Sequence, residues 1–285
     1  MLLAIDIGNT NIVVGVYKDS DLRGSFRASS RREMTADEAG FFILNLLERM
    51  VVSQAKDFDP SRSGLLRSRH ECQDHKGPDL QFCRSDVSKV VIGSVVPPLT
   101  SIFEEASRKY FRCVPLTVSA RIKLPVRVEI DNPDEVGADR IANAVAAYDQ
   151  FGGPSIVVDF GTANTIEAIS AKGEYLGGAI FPGIEISMDA LFGRAAALRR
   201  VELVPPRHVI GKSTVESIQS GAVYGFSGQV DALVDLFQAE LGECTVIATG
   251  GLAQNIIPFS RTIQHHEPWL TIQGLRIVFE RNQAT

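Results

Sequence analysis

The apolar positions of this chain fall into short strand-length runs that alternate with stretches of helical periodicity. Residues 2–5 form one run, ending at Asp6 and the turn-forming Gly8 and Asn9. Residues 12–17 follow at once, then the turn KDSD and a third run over 22–27, so the pattern predicts a three-stranded meander. Residues 35–50 carry Phe41, Phe42, Leu44, Leu46 and Leu47, with Asp37 and Glu38 near the start. That spacing and that charge predict an amphipathic helix. From about 52 to 86 the pattern dissolves into charged and turn-forming residues. A buried-type strand over 90–92, a helix over 102–111 and a short strand over 114–118 follow.

The stretch RIKLPVRVEIDNP holds prolines that predict an extended connection. A domain boundary is expected there, near residue 119, dividing the chain into 1–118 and 119–285. The second part opens with a helix, GADRIANAVAAYDQF, in which Ile141, Ala144, Val145 and Tyr148 recur at helical spacing. Residues 156–158 make another buried strand, again ending in an aspartate, Asp159. Strands and helices alternating on both sides of the boundary indicate an α/β protein.

The two halves also repeat one another. AIDIGNTNIVVGVYKDSDLRGS aligns without gaps on VVDFGTANTIEAISAKGEYLGG, pairing Asp6 with Asp159, Gly8 with Gly161, Asn11 with Asn164 and Gly24 with Gly177. Both copies set an acid and a glycine turn between two apolar strands. Such a turn lets backbone N–H groups approach an anion closely, and the hydroxyls of Thr10 and Thr162 add donors. A carboxylate cannot bind phosphate directly, but it can hold a cation that bridges to it. Two such turns make a clamp, whereas two ordinary hairpin turns are the plainer alternative.

Composition removes several function classes. Apolar residues are 45% and charged residues 22%, with a net charge of −5, which gives no reason to expect nucleic acid or anionic membrane as a partner. No run approaches the roughly 20 apolar residues of a membrane span. The start, MLLAIDIGNTN, lacks a basic segment and meets Asp6 early, so the cytoplasm is expected. The four cysteines are too scattered for a disulfide framework. His70, Cys72, His75 and Cys83 lie close in sequence but fit no standard zinc spacing, and an exposed polar loop is the preferred reading. The segment GKST at 211–214 is not a P-loop, because Pro206 stands where glycine is needed and no strand precedes it. No G-x-G-x-x-G follows a strand, so a Rossmann site has no support.

The paired turns resemble the phosphate motifs of the acetate and sugar kinase, Hsp70 and actin superfamily. Within it the chain resembles the type III pantothenate kinases, bacterial enzymes that open coenzyme A biosynthesis. DIGNTN, GSVVPPLT, NPDEVGADRIANA, VVDFGTANT, GGAIFPG, IGKSTVESIQSG, ATGGLA and WLTIQGLRIVFERN carry the match. The resemblance implies two ribonuclease H-like (actin-like) domains, related by duplication, around an interdomain cleft. It implies ATP and Mg2+ at Asp6 and its turn, formed by Ile7, Gly8, Asn9, Thr10, Asn11, Ile12 and Val13. A monovalent cation, K+ or NH4+, is implied at Asp159, an ATP contact at Thr162, and adenosine packing at Gly250 and Gly251.

Gly137, Ala138, Asp139 and Arg140 match the family's pantothenate-binding segment, with Asp139 as the catalytic base, and Thr214 matches a further pantothenate contact. The local chemistry agrees. Asp139 falls in the first turn of a predicted helix, where the dipole favours its ionised form, and Arg140 suits the substrate carboxylate. A homodimer with pantothenate near its interface is also implied. Two departures stand out: Ile130 replaces a tyrosine usual in the family, and 52–86 is longer than usual, which marks it as a surface insertion. A non-catalytic regulator of the same fold, an actin-like or Hsp70-like ATPase, and a kinase of another small alcohol are the alternatives.

Overall fold

The computed structural model describes residues 1–54, 87–195 and 198–283. Residues 55–86 of the expected insertion, with His70, Cys72, His75 and Cys83, lie outside the described residues. Strands β1 (Leu2–Ile7), β2 (Asn11–Lys18) and β3 (Asp21–Ser29) form the meander. Helix α1 (Ala36–Gln54) follows, opened by reciprocal hydrogen bonds between Thr35 and Glu38. Strand β4 (Lys89–Ser94) then runs parallel to β1 on its free edge. Helix α2 (Pro97–Phe111) begins five residues earlier than its periodicity predicts. The reason is the pair Pro97 and Pro98, whose missing N–H groups cost nothing in a first helical turn. The next strand, β5 (Leu116–Thr117), is shorter than expected and completes a sheet of order β3-β2-β1-β4-β5.

The second half rebuilds the same plan. After β6 (Arg127–Val128) and α3 (Ala138–Phe151) come β7 (Ser155–Phe160), β8 (Ala163–Ile169) and β9 (Glu174–Pro182) as an antiparallel meander. Helices α4 (Ile184–Arg194) and α5 (Thr214–Leu241) lead to β10 (Thr245–Thr249), parallel to β7. A single helical turn, α6 (Ala253–Ile256), precedes β11 (His265–His266), and α7 (Leu270–Gln283) ends the fold. The sheet order is β11-β10-β7-β8-β9-β6, so β9-β8-β7-β10-β11 repeats the first sheet strand for strand, and β6 is an addition at one edge. This is the actin-like, duplicated α/β architecture.

Register refines the repeat. Asp6 stands opposite Val13, but Asp159 stands opposite Thr165, so the second acidic hairpin is one residue shorter. Val16 pairs with Gly24 and Ala168 with Gly177, so the missing residue is recovered before β9. The structural counterpart of Asn11 is therefore Ala163 rather than Asn164, and Gly15 corresponds to Glu167. Both copies bulge one residue before the shared glycine, leaving Arg23 and Leu176 unpaired.

Three apolar cores stack through the molecule. The outer face of the first sheet packs on α1 and α2 through Leu3, Ile5, Val14, Ile43 and Phe103. The outer face of the second packs its Ile156, Val158 and Ile166 against Val230 and Val234 of α5. Between the sheets lies a shared layer, in which Ile141, Ala142 and Val145 of α3 meet Ile272 and Leu275 of α7, Ala4 of β1 and Val157 of β7. The last helix of the chain thus packs on the first strand. The two helices approach so closely that a Cβ on Gly274 of α7 would stand 1.9 Å from the Ala142 carbonyl oxygen of α3. Gly274→Ala should force them apart and destabilise the protein by about 1–3 kcal/mol, the usual cost of overpacking, read as a lower urea midpoint at unchanged slope.

Candidate active site

Each acidic hairpin lifts its aspartate to the same end of its sheet, and the two ends face one another. Ile7 and Ile12 are fully buried on the opposite face, which anchors the first turn. Inside it Gly8 N–H donates to the Asn11 carbonyl at 2.9 Å, and the Ser30 hydroxyl donates to the Gly8 carbonyl at 2.6 Å. The hairpins touch: Thr10 Oγ1 and Thr162 Oγ1 lie 2.7 Å apart. They close one end of an open cleft of about 200 Å³. Asp6, Gly8, Asn9, Asn11 and Val13 line it from the first half, and Asp159, Gly161, Thr162, Gly250 and Gly251 from the second.

Asp139 enters the same cleft from the first turn of α3. Its Oδ1 accepts from the Arg140 backbone N–H at 2.8 Å. A Cβ at the helix-capping Gly137 would stand 2.4 Å from that oxygen, so glycine makes room for the carboxylate. Asn143, one turn further along α3, donates from Nδ2 to Asp159 at 3.1 Å and accepts from the Thr271 hydroxyl of α7 at 2.8 Å. The shared helical layer thus ties the second hairpin to both halves.

Three carboxylates in one cleft repel each other. Burial, then Asp139 and Asp159, push the Asp6 carboxyl well above the usual carboxylate range, against the opposing pull of Arg27. Burial, then Asp139, push Asp159 up to about 6, opposed by the Asn143 amide and Arg27. Burial also raises Asp139, and the backbone N–H and guanidinium of Arg140 hold it down. Arg27 is the cation that lines the cleft, so the three acids call for further positive charge. Among the described residues no three acidic, histidine or cysteine side chains converge to direct metal-ligand geometry. One or two carboxylates with waters and phosphate oxygens is the environment that magnesium prefers, so the residues fit a hydrated ion.

Arg140 and Thr214 stand apart from the cleft lining. Arg140 Nε donates to Glu167 Oε1 at 3.1 Å, and its guanidinium lies 5.7 Å from the ring centre of Tyr175. Thr214 opens α5, after a Ser213 cap that accepts from Glu216 N–H, so GKST is a helix start. Thr214 lines an apolar groove between α4 and α5 with Met188, Leu191, Ile218 and Phe226. Gly137 and Ala138 frame Asp139 from behind, and Ala138 is buried. Ile130 packs against the central core near Gly177. Sequence reasoning passed over Arg27, Asn143, Thr271 and Glu167, which lie in no turn motif. For Glu167 a signal existed: a charged residue flanked by Ile166 and the apolar Ala168 and Ile169.

Duplicated sheets with facing acidic hairpins define an actin-like phosphotransferase. A family model for type III pantothenate kinase matches residues 2–58 and 62–236, and the chain belongs to that family. A type III pantothenate kinase of Moorella thermoacetica is 47% identical over 283 residues, covering 99% of this chain and all of the relative. One from a Roseiflexus species is 45% identical over 285 residues, with both chains fully covered. Among solved structures, a Campylobacter jejuni protein described as of the Baf family of transcriptional activators superposes with a TM-score of 0.56 at 18% identity. It covers 99% of this chain and all of its own, and it is similar in fold.

Burial holds the Glu167 carboxyl at about 8, against an ordinary 4.5, with Arg140 and Thr165 only partly offsetting the shift. An acid raised on folding lends stability below its unfolded value, and that stability is lost as pH climbs through the folded value. Glu167→Gln, which cannot ionise, should therefore gain thermal stability over the parent between pH 7 and 9. The gain should vanish below about pH 5 in paired melting curves.

Proposed function

We propose that this protein transfers the γ-phosphoryl group of ATP to the primary hydroxyl of pantothenate, giving 4′-phosphopantothenate and ADP in the cytoplasm. The observation that carries this reading is the convergence of Asp6, Asp139 and Asp159 on one cleft, from two touching hairpins and a helix N-terminus. Backbone and hydroxyl donors of the turns at Asn9–Asn11 and Gly161–Thr162 orient the triphosphate, and Gly250 and Gly251 leave room for adenosine. Asp139 takes the proton of the substrate hydroxyl as that oxygen bonds to the γ-phosphorus and the β–γ bridging bond breaks. A carboxylate raised by burial, beside backbone N–H groups of a helix N-terminus that favour its ionised form, suits a general base.

Asp6 would hold a hydrated magnesium ion, and Asp159 would hold a monovalent cation, K+ or NH4+. Magnesium, when bound, neutralises charge that the transferring group would otherwise expose to three carboxylates. Gly137, Ala138, Asp139 and Arg140 form the pantothenate segment, with Arg140 toward the substrate carboxylate. Residues 1–118 and 119–285 serve as the two domains, with the α3–α7 layer as their common floor.

A homodimer is part of the reading. Strand β9 and helices α4 and α5 expose Ile180, Ile186, Leu191 and Val215, beside the groove that holds Thr214. A second copy covering that face would bring Thr214 to pantothenate bound near the interface. Sedimentation equilibrium should give twice the chain mass for the active species, and an active monomer would refute the dimer.

The decisive assay couples ADP release to pantothenate, with potassium or ammonium present. Turnover must require pantothenate; ATP hydrolysis at the same rate without it would point to an ATPase instead. Asp139→Asn should lower kcat by roughly 10²–10⁴-fold, the range for a lost general base, while ATP binding is largely kept.

A further inference from the structure

We propose that Glu167 is a positioning residue for pantothenate, which holds the Arg140 guanidinium beside Asp139; the proposal rests on the pantothenate reading above. Glu167 stands in the middle of β8, opposite Val157, and is completely buried. Its Oε1 accepts from Arg140 Nε at 3.1 Å. Tyr175 of β9, itself buried, lies under the same guanidinium. The arginine is thus gripped at Nε and across one face, while its backbone N–H holds the Asp139 carboxylate. A guanidinium fixed in this way keeps a constant orientation toward an anion brought to the N-terminus of α3.

The fold itself does not need this carboxylate. Its counterpart in the first half is Gly15, where a Cβ would stand 2.8 Å from Ile272 of α7, so the equivalent place is filled by apolar packing. A buried acid with one charged partner is a poor source of stability, because its desolvation offsets most of the attraction. A neutral residue of the same size would serve packing better. Keeping an acid there makes sense where the arginine must be held in one orientation, and Arg140 is that arginine. The high proton affinity of Glu167 agrees with a group retained at a cost to stability.

The test compares wild type, Glu167→Gln and Glu167→Asp by steady-state kinetics with pantothenate and ATP. Pantothenyl alcohol, which lacks the carboxylate, is the probe, read as its inhibition constant against pantothenate. The Gln variant removes the ionisable carboxyl, and the Asp variant keeps it but draws it back by one methylene. Both should lose roughly 10- to 100-fold in kcat/KM for pantothenate, mainly through KM, as expected when a binding group is displaced by an ångström. KM for ATP and the inhibition constant of the alcohol should stay at their wild-type values. The Gln variant should keep or gain thermal stability, which a purely structural role would not allow.

Four results would overturn the proposal: unchanged pantothenate KM in a folded variant, a parallel rise in KM for ATP, equal weakening of the alcohol, or loss of folding in both variants. A wild-type protein that fails to phosphorylate pantothenate would instead remove the substrate reading on which this one is built.

Discussion

Like-charge repulsion inside a partly dry cleft is the constraint around which this molecule is arranged. Asp6, Asp139 and Asp159 come from three different elements, and burial leaves each of them short of the solvation an ionised carboxylate wants. The protein answers with local countermeasures: Arg27 from β3, the Asn143 amide, and the N–H groups at the start of α3. Those do not cancel three charges. The remainder makes the cleft a place that favours cations.

The shared helical layer turns that arrangement into one unit. Because α3 and α7 lie between the sheets, Asp139, the Asn143 amide that holds Asp159 and the Thr271 hydroxyl behind it belong to one layer. The close crossing at Gly274 fixes the spacing of these helices, and with it the distance between the two hairpins.

Much of the site was legible along the chain. The acidic turns announce themselves because Asp, Gly and Thr interrupt apolar strands at matching places in each half, and local propensity decides such turns. Asp139 was equally visible, as an acid in the first turn of a strongly periodic helix. Arg27 and Asn143 were not, because nothing next to them in sequence reveals what they will face, and Glu167 showed only as a charge beside apolar neighbours, without its partner. The start of α2 was missed for a local reason: its first turn is built from Val-Pro-Pro, which reads as extended unless helix N-termini are allowed their prolines.

The amino-acid order by itself determined the alternation of strands and helices, the duplication and the chemistry of the turns, since each depends on neighbours within a few residues. Tertiary structure alone decided the one-residue slip in β8, which gave the place of Gly15 to Glu167, and it alone decided which helices lie between the sheets. Layer order follows from packing between segments more than 100 residues apart, as where α7 meets α3 and β1. No local pattern encodes which partner such a segment will find.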